Sequence, residues 1–168
     1  MEKTSAKSNA QKRRWLDSDF ATNTRWGMNF FFDSSSLLKR YLNEVGDDKV
    51  QKLFEQADKI FISIITHVEC ASAFKRLLHT KFINEKEYQL LHSEINLDLP
   101  FFETIYFDDD TKINALKIIE KYPMKALDTI QLASLIQVSN EIDYFIVCDQ
   151  KLKKYALKEG IHIIDPTE

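Results

Sequence analysis

Glycine is scarce: Gly27, Gly46 and Gly160 are the only three in 168 residues. Phosphate loops need clustered glycines so that backbone amides can close on the ligand. With the three so far apart, P-loop and dinucleotide-binding readings are excluded. Cysteine is rarer still. Cys70 and Cys148 make neither a disulfide framework nor a zinc site. Their apolar neighbours point to reduced, buried thiols in a cytoplasmic protein. His67, His79, His92 and His162 share no ligand spacing, and no Ser or Cys has a histidine placed to activate it. No apolar run approaches the roughly 20 residues of a membrane span. The start also lacks the charged-then-apolar order of a secretory signal, so no membrane attachment is expected.

Positive charge is also short. The chain carries a net −3. Within residues 1–27, six Lys/Arg (Lys3, Lys7, Lys12, Arg13, Arg14, Arg25) face Glu2, Asp17 and Asp19, a net of +3, which leaves −6 for the remainder. Proteins that hold nucleic acid by bulk electrostatics are usually basic. An acidic domain that binds RNA needs cations and a local basic rim to do so.

What is present is 44% hydrophobic and 29% charged residues, the balance of one globular domain. Residues 1–27 are polar, basic and aperiodic, and are expected to form a flexible leader that is vector-derived, from a misassigned start or a natural flexible arm. A basic arm that binds RNA is the alternative. The domain is expected to span 28–168. From Met28, short apolar strands (29–32, 60–64, 103–106, 144–147, 162–164) alternate with helical patterns near 35–44, 48–57, 66–79, 84–97, 109–121, 126–139 and 150–158. The strands show little polar alternation, which suggests a sheet covered on both faces. In the third helix, Val68, Ala71, Phe74, Leu77 and Leu78 recur at helical spacing. This order predicts an α/β fold with a mainly parallel sheet. In such sheets ligands bind at the carboxyl ends of the strands.

Four acids lie at that edge or at a helix start. Asp33 follows Phe30-Phe31-Phe32, Asp149 follows Phe145-Ile146-Val147-Cys148, Glu69 begins the helix after the second strand, and Asp128 opens the apolar helix at 126. Each has an innocent reading. Thr66-His67-Val68-Glu69 has the form of a capping box, and the three aspartates can be helix caps or dipole-favoured carboxylates. Asp108-Asp109-Asp110 is read as such a cap in preference to a metal-binding run. Gathering several carboxylates in one crevice, however, is costly unless cations neutralise them. An oxygen-only set suits Mg²⁺ or Mn²⁺ rather than zinc.

Four segments in order resemble the PIN-domain family, in particular its VapC-type toxins. They are Asp33-Ser34-Ser35 after a strand, Ser63–Ala73 around Glu69, Ala126–Ser134 around Asp128, and Phe145–Leu152 around Asp149. Ala156–Gly160 and Asp165-Pro166 then match the family's end. The resemblance implies a three-layer α/β/α sandwich that cuts RNA with Mg²⁺ or Mn²⁺, a cognate antitoxin as partner, and a homodimer. It implies Asp33 and Asp149 as the most direct metal ligands, and Asp128 as a ligand or water-orienting base. Glu69 would bind through water or complete a second site, and the Ser35 hydroxyl would fix Asp33 or a metal water. Lys39, Arg40 and Arg76 are candidate RNA contacts, with Lys125, Lys151 and Lys154 as further rim lysines. Two other readings compete. A haloacid-dehalogenase-like phosphatase needs a second Asp where this chain has Ser35. A PIN fold without activity would be an RNA- or protein-binding module, against which all four acids argue.

Overall fold

Three consecutive phenylalanines set the frame of the fold. In strand β1 (Met28–Phe32), alternate side chains leave on opposite faces, and all three rings are fully buried. Phe30 and Phe32 enter one core with Tyr41, Phe54, Phe74 and Leu91. Phe31 enters a second core with Phe145, Leu132, Leu135 and Tyr155. A strand buried on both sides needs helices on both sides. Each ring contributes roughly 1.5–3 kcal/mol by leaving water.

The structure is a computed structural model that describes residues 27–168. The expected leader therefore lies outside the described residues except for Gly27. After β1 come α1 (Ser34–Leu38), α2 (Asp47–Gln56), β2 (Ala57–Ser63), α3 (Ile64–His79) and α4 (Glu85–Asp98). A 3₁₀ turn at Leu99–Phe101 leads into β3 (Glu103–Ile105) and α5 (Asp109–Lys121). The chain ends with α6 (Ala126–Gln137), β4 (Tyr144–Ile146), α7 (Gln150–Lys158) and β5 (Ile163–Ile164). The five strands lie in the order β3-β2-β1-β4-β5, and every neighbouring pair is parallel. Helices α1 to α4 cover one face and α5 to α7 the other. The expected α/β/α sandwich is thus observed, with a sheet that is parallel throughout.

Three local expectations need correction. The helix expected over 35–44 stops at Leu38. Beyond it Arg40 and Tyr41 turn inward, and both donate to Asp98 of α4, at 3.2 and 3.0 Å. A buried carboxylate there outweighs local helix propensity. The third helix starts at Ile64 rather than 66, with Ser63 as its N-cap. Glu69 therefore sits in the second turn, and Thr66 caps nothing; it is buried beside Gln131 of α6, 3.5 Å away. The capping-box reading of Thr66 and Glu69 is thereby removed. Finally, of the expected positions Val68 is 68% exposed, whereas Phe74 is buried with Cys70 and Ala73, and Leu77 and Leu78 pack against that core.

Candidate functional site

Because the sheet is parallel, the carboxyl ends of β1, β2 and β4 meet at one edge, and the helices that follow begin there. Asp33 is the N-cap of α1. Its backbone N–H donates to the Ile146 carbonyl of β4 at 3.0 Å, and its Oδ2 accepts from the Ser35 amide at 3.1 Å and the Ser35 hydroxyl at 2.5 Å. Asp149 is the N-cap of α7, where its Oδ1 accepts from the Leu152 amide at 2.7 Å. Glu69 reaches across from α3 to accept from the Ser34 hydroxyl. Asp128 lies in the first turn of α6, and its carboxylate has no partner among the described residues.

The structure brings all four acids to one cleft of about 440 Å³, together with Ser34, Ser35 and Arg76. Val68 and Leu127, both at least half exposed, form its apolar rims. Among the described residues Arg76 is the only basic side chain lining it. Lys39 and Arg40 do not join. Arg40 is 1% exposed, ion-paired with Asp98, bonded to Gln51 at 2.8 Å and packed 4.3 Å over the Phe54 ring. Lys39 is also buried, with Glu44 at 3.5 Å. Sequence position alone suggested a basic rim at both. The inward turn after Leu38 takes them out of reach of an external phosphate.

At Asp33 the electrostatics run against a bare carboxylate. Burial pushes the Asp33 carboxyl up to about 6 and the Glu69 charge adds to this, against the Ser35 hydrogen bonds, which favour the anion. Beneath it, burial and the same two carboxylates push the Cys70 thiol well above its usual range. Cys70 is thus an inert core thiol. Cys148, half-buried rather than buried, is raised by burial and lies 3.2 Å from the Ser36 hydroxyl. Both cysteines are free. Among the described residues no three His, Cys, Asp or Glu side chains are grouped as a ready-made metal cage. The donor chemistry nonetheless fits a hard divalent cation. All donors are oxygen, Asp33 is destabilised as a lone anion, and Asp128 is unengaged among the described residues.

Two contributors escaped sequence reasoning. Ser34 was legible only as a capping residue; its bond to Glu69 needs α3 beside α1. Gln131 Nε2 lies 3.4 Å from the Phe32 carbonyl and 3.5 Å from the Thr66 hydroxyl, while Ser63 meets Ser134 at 3.0 Å. These buried polar contacts tie α6, and with it Asp128, to the ends of β1 and β2. Small polar residues inside apolar stretches were the one available signal.

A parallel sandwich with carboxylates gathered at the carboxyl edge of its sheet defines an α/β protein with an acidic ligand cleft. The PIN domain family model matches residues 30–158, and the chain belongs to that family. Solved structures share the fold. A toxin–antitoxin complex from Klebsiella pneumoniae is 19% identical with a TM-score of 0.58, the match covering 82% of this chain and 98% of that one. FitAcB from Neisseria gonorrhoeae is 17% identical with a TM-score of 0.62, over 82% and 97% of the two chains. DNA-bound VapBC from Salmonella typhimurium is 14% identical with a TM-score of 0.53, over 83% and 98%. No curated protein matches the chain. At these identities the likeness is one of fold.

Proposed function

We propose that the protein is a metal-dependent endoribonuclease, the toxin of a toxin–antitoxin pair. The observation that carries this reading is the meeting of Asp33, Glu69, Asp128 and Asp149 in one cleft of a chain belonging to the PIN domain family. The toxin role is supported by the fold shared with a toxin–antitoxin complex.

Asp33, Asp149 and Asp128 would hold Mg²⁺ or Mn²⁺, with Glu69 completing the set. The metal, when bound, would neutralise phosphate charge and lower the pKa of water. The chain's own residues do the rest. Ser35 fixes one Asp33 oxygen and Ser34 holds Glu69, so two carboxylates are oriented before any ligand arrives. Asp128, with no competing donor, is free to orient a water and accept its proton. Arg76, the one basic residue lining the cleft among the described residues, meets the RNA phosphate.

The test is cleavage of labelled RNA by purified protein with Mn²⁺, with EDTA, and with Asp33→Ala in parallel. Cleavage lost in both controls is expected. Cleavage that survives EDTA, or an Asp33→Ala variant of full activity, would sink the reading.

A further inference from the structure

Asp149 is an N-cap, so the direction of its carboxylate depends on the rotation of α7 about its own axis. Core burial of Leu152, Tyr155 and Ala156 seats α7 on the sheet, but apolar contacts are not directional. A polar contact on a different side of the helix supplies a direction. Lys153 Nζ lies 3.2 Å from Asp165 Oδ2, and Gln150 Nε2 lies 3.4 Å from the same oxygen. Asp165 follows β5, on the edge that carries Asp33 and Asp149, and is 5% exposed. Its other oxygen is held by the Thr167 amide at 2.9 Å and hydroxyl at 2.6 Å. Lys153 also reaches Glu168 Oε1 at 2.6 Å. The Lys153 amide in turn donates to the Asp149 carbonyl at 2.9 Å, next to the Leu152 amide that holds the Asp149 carboxylate.

We propose that the Lys153–Asp165 ion pair is a positioning device for the site: it fixes the first turn of α7 and so aims Asp149 into the cleft. Neither side chain lines the cleft. The inference rests on the reading of Asp149 as a metal ligand. A buried carboxylate with both oxygens engaged is a rigid anchor, and a lysine drawn to it loses the freedom a solvated lysine keeps. Removing the ammonium leaves Asp165 buried with its Oδ2 poorly satisfied and lets the turn rotate. The fold itself survives on the core under α7, so the loss falls on metal affinity.

The test measures Mn²⁺ binding to the full chain by calorimetry, alongside Tm and RNA cleavage, for Lys153→Gln, Lys153→Arg, Asp165→Asn and Asp149→Asn. Outer partners of metal ligands are worth about 10–100-fold in affinity. Lys153→Gln and Asp165→Asn are expected to weaken Mn²⁺ binding about tenfold or more, with kcat at saturating Mn²⁺ little changed. Lys153→Arg is expected to restore affinity, which a merely structural role in stability would not require. Lys158→Gln, exposed at the far end of α7 and without an ion pair among the described residues, serves as the control. If Lys153→Gln proves too unstable to purify, Gln150→Ala tests the weaker arm of the same clamp. Unchanged Mn²⁺ affinity in Lys153→Gln, with Asp149→Asn impaired, overturns the positioning role alone. Unchanged affinity in Asp149→Asn overturns the metal-site reading beneath it.

Discussion

At Asp33 two requirements conflict. As an N-cap it is best ionised, accepting from Ser35, yet burial and the nearby Glu69 disfavour the charge and raise its carboxyl to about 6. The sign of the consequence follows from proton linkage. Between the unfolded value of about 3.9 and the folded value the native chain holds a proton that the unfolded chain has lost. Stability therefore falls as pH rises through this window and stays lower above it. Asp33→Asn keeps a capping oxygen and removes the charge. It is predicted to stabilise the metal-free protein by on the order of 2–3 kcal/mol above pH 6, and to have no such effect below pH 4. Urea denaturation of both proteins at pH 3.5 and 7.5 checks this. Equal stability at pH 7.5 would mean that the burial cost is absent. Arg76→Gln is predicted to raise the KM for RNA and flatten its salt dependence, since it removes the only basic lining residue among the described residues. A KM unchanged between low and high salt relative to the parent would show that Arg76 does not meet phosphate.

The turn between α3 and α4 illustrates the scale of the element. Lys81 has φ +59, the left-handed region that costs a side-chain-bearing residue roughly 1–2 kcal/mol. The turn holds because the Lys81 amide meets the Leu78 carbonyl, the Phe82 amide meets that of Leu77, and Ile83 is buried. Glycine suits that conformation. Lys81→Gly is thus predicted to gain about 0.5–1 kcal/mol after the extra freedom of unfolded glycine is subtracted. Thermal melts read the difference, and a lower Tm for the glycine variant would contradict it. The next helix also shows where a capping box does form. Asn84 and Glu87 exchange both bonds, at 2.8 and 3.0 Å, whereas Thr66 and Glu69 share the letters of that motif and not its geometry. The letters match in both places, but at Thr66 the helix had already begun.

Over the whole molecule, the proposed function predicts that a divalent ion would stabilise the acidic cleft of this net-negative chain. Mn²⁺ at a hundred times its Kd should add about 2.7 kcal/mol to stability, or roughly 5–10 °C in Tm for a chain of this size. On the proposal that Asp33 is a metal ligand, Mn²⁺ would compete with its proton, and that shift should shrink as pH falls below about 6. A Tm indifferent to Mn²⁺ at pH 7.5 would instead favour a binding module that has lost activity. Among the described residues no helix is long and apolar enough to cross a membrane.

Most of the architecture could be read from the order of residues. Apolar strands alternating with helical periods dictate a covered parallel sheet, and that sheet fixes which edge collects Asp33 and Asp149, because both follow strands directly. Such facts are local, set by neighbours in the chain and by the period of each element. Tertiary structure decided what depended on distant partners. Asp98, more than fifty residues away, withdrew Arg40 from the surface. The Ser34 hydroxyl went to Glu69, Gln131 bridged toward β1 and α3, and Asp165 captured Lys153. Hydrogen bonds and ion pairs reach only about 3 Å and are directional, so their pairing is settled only once packing has placed both ends.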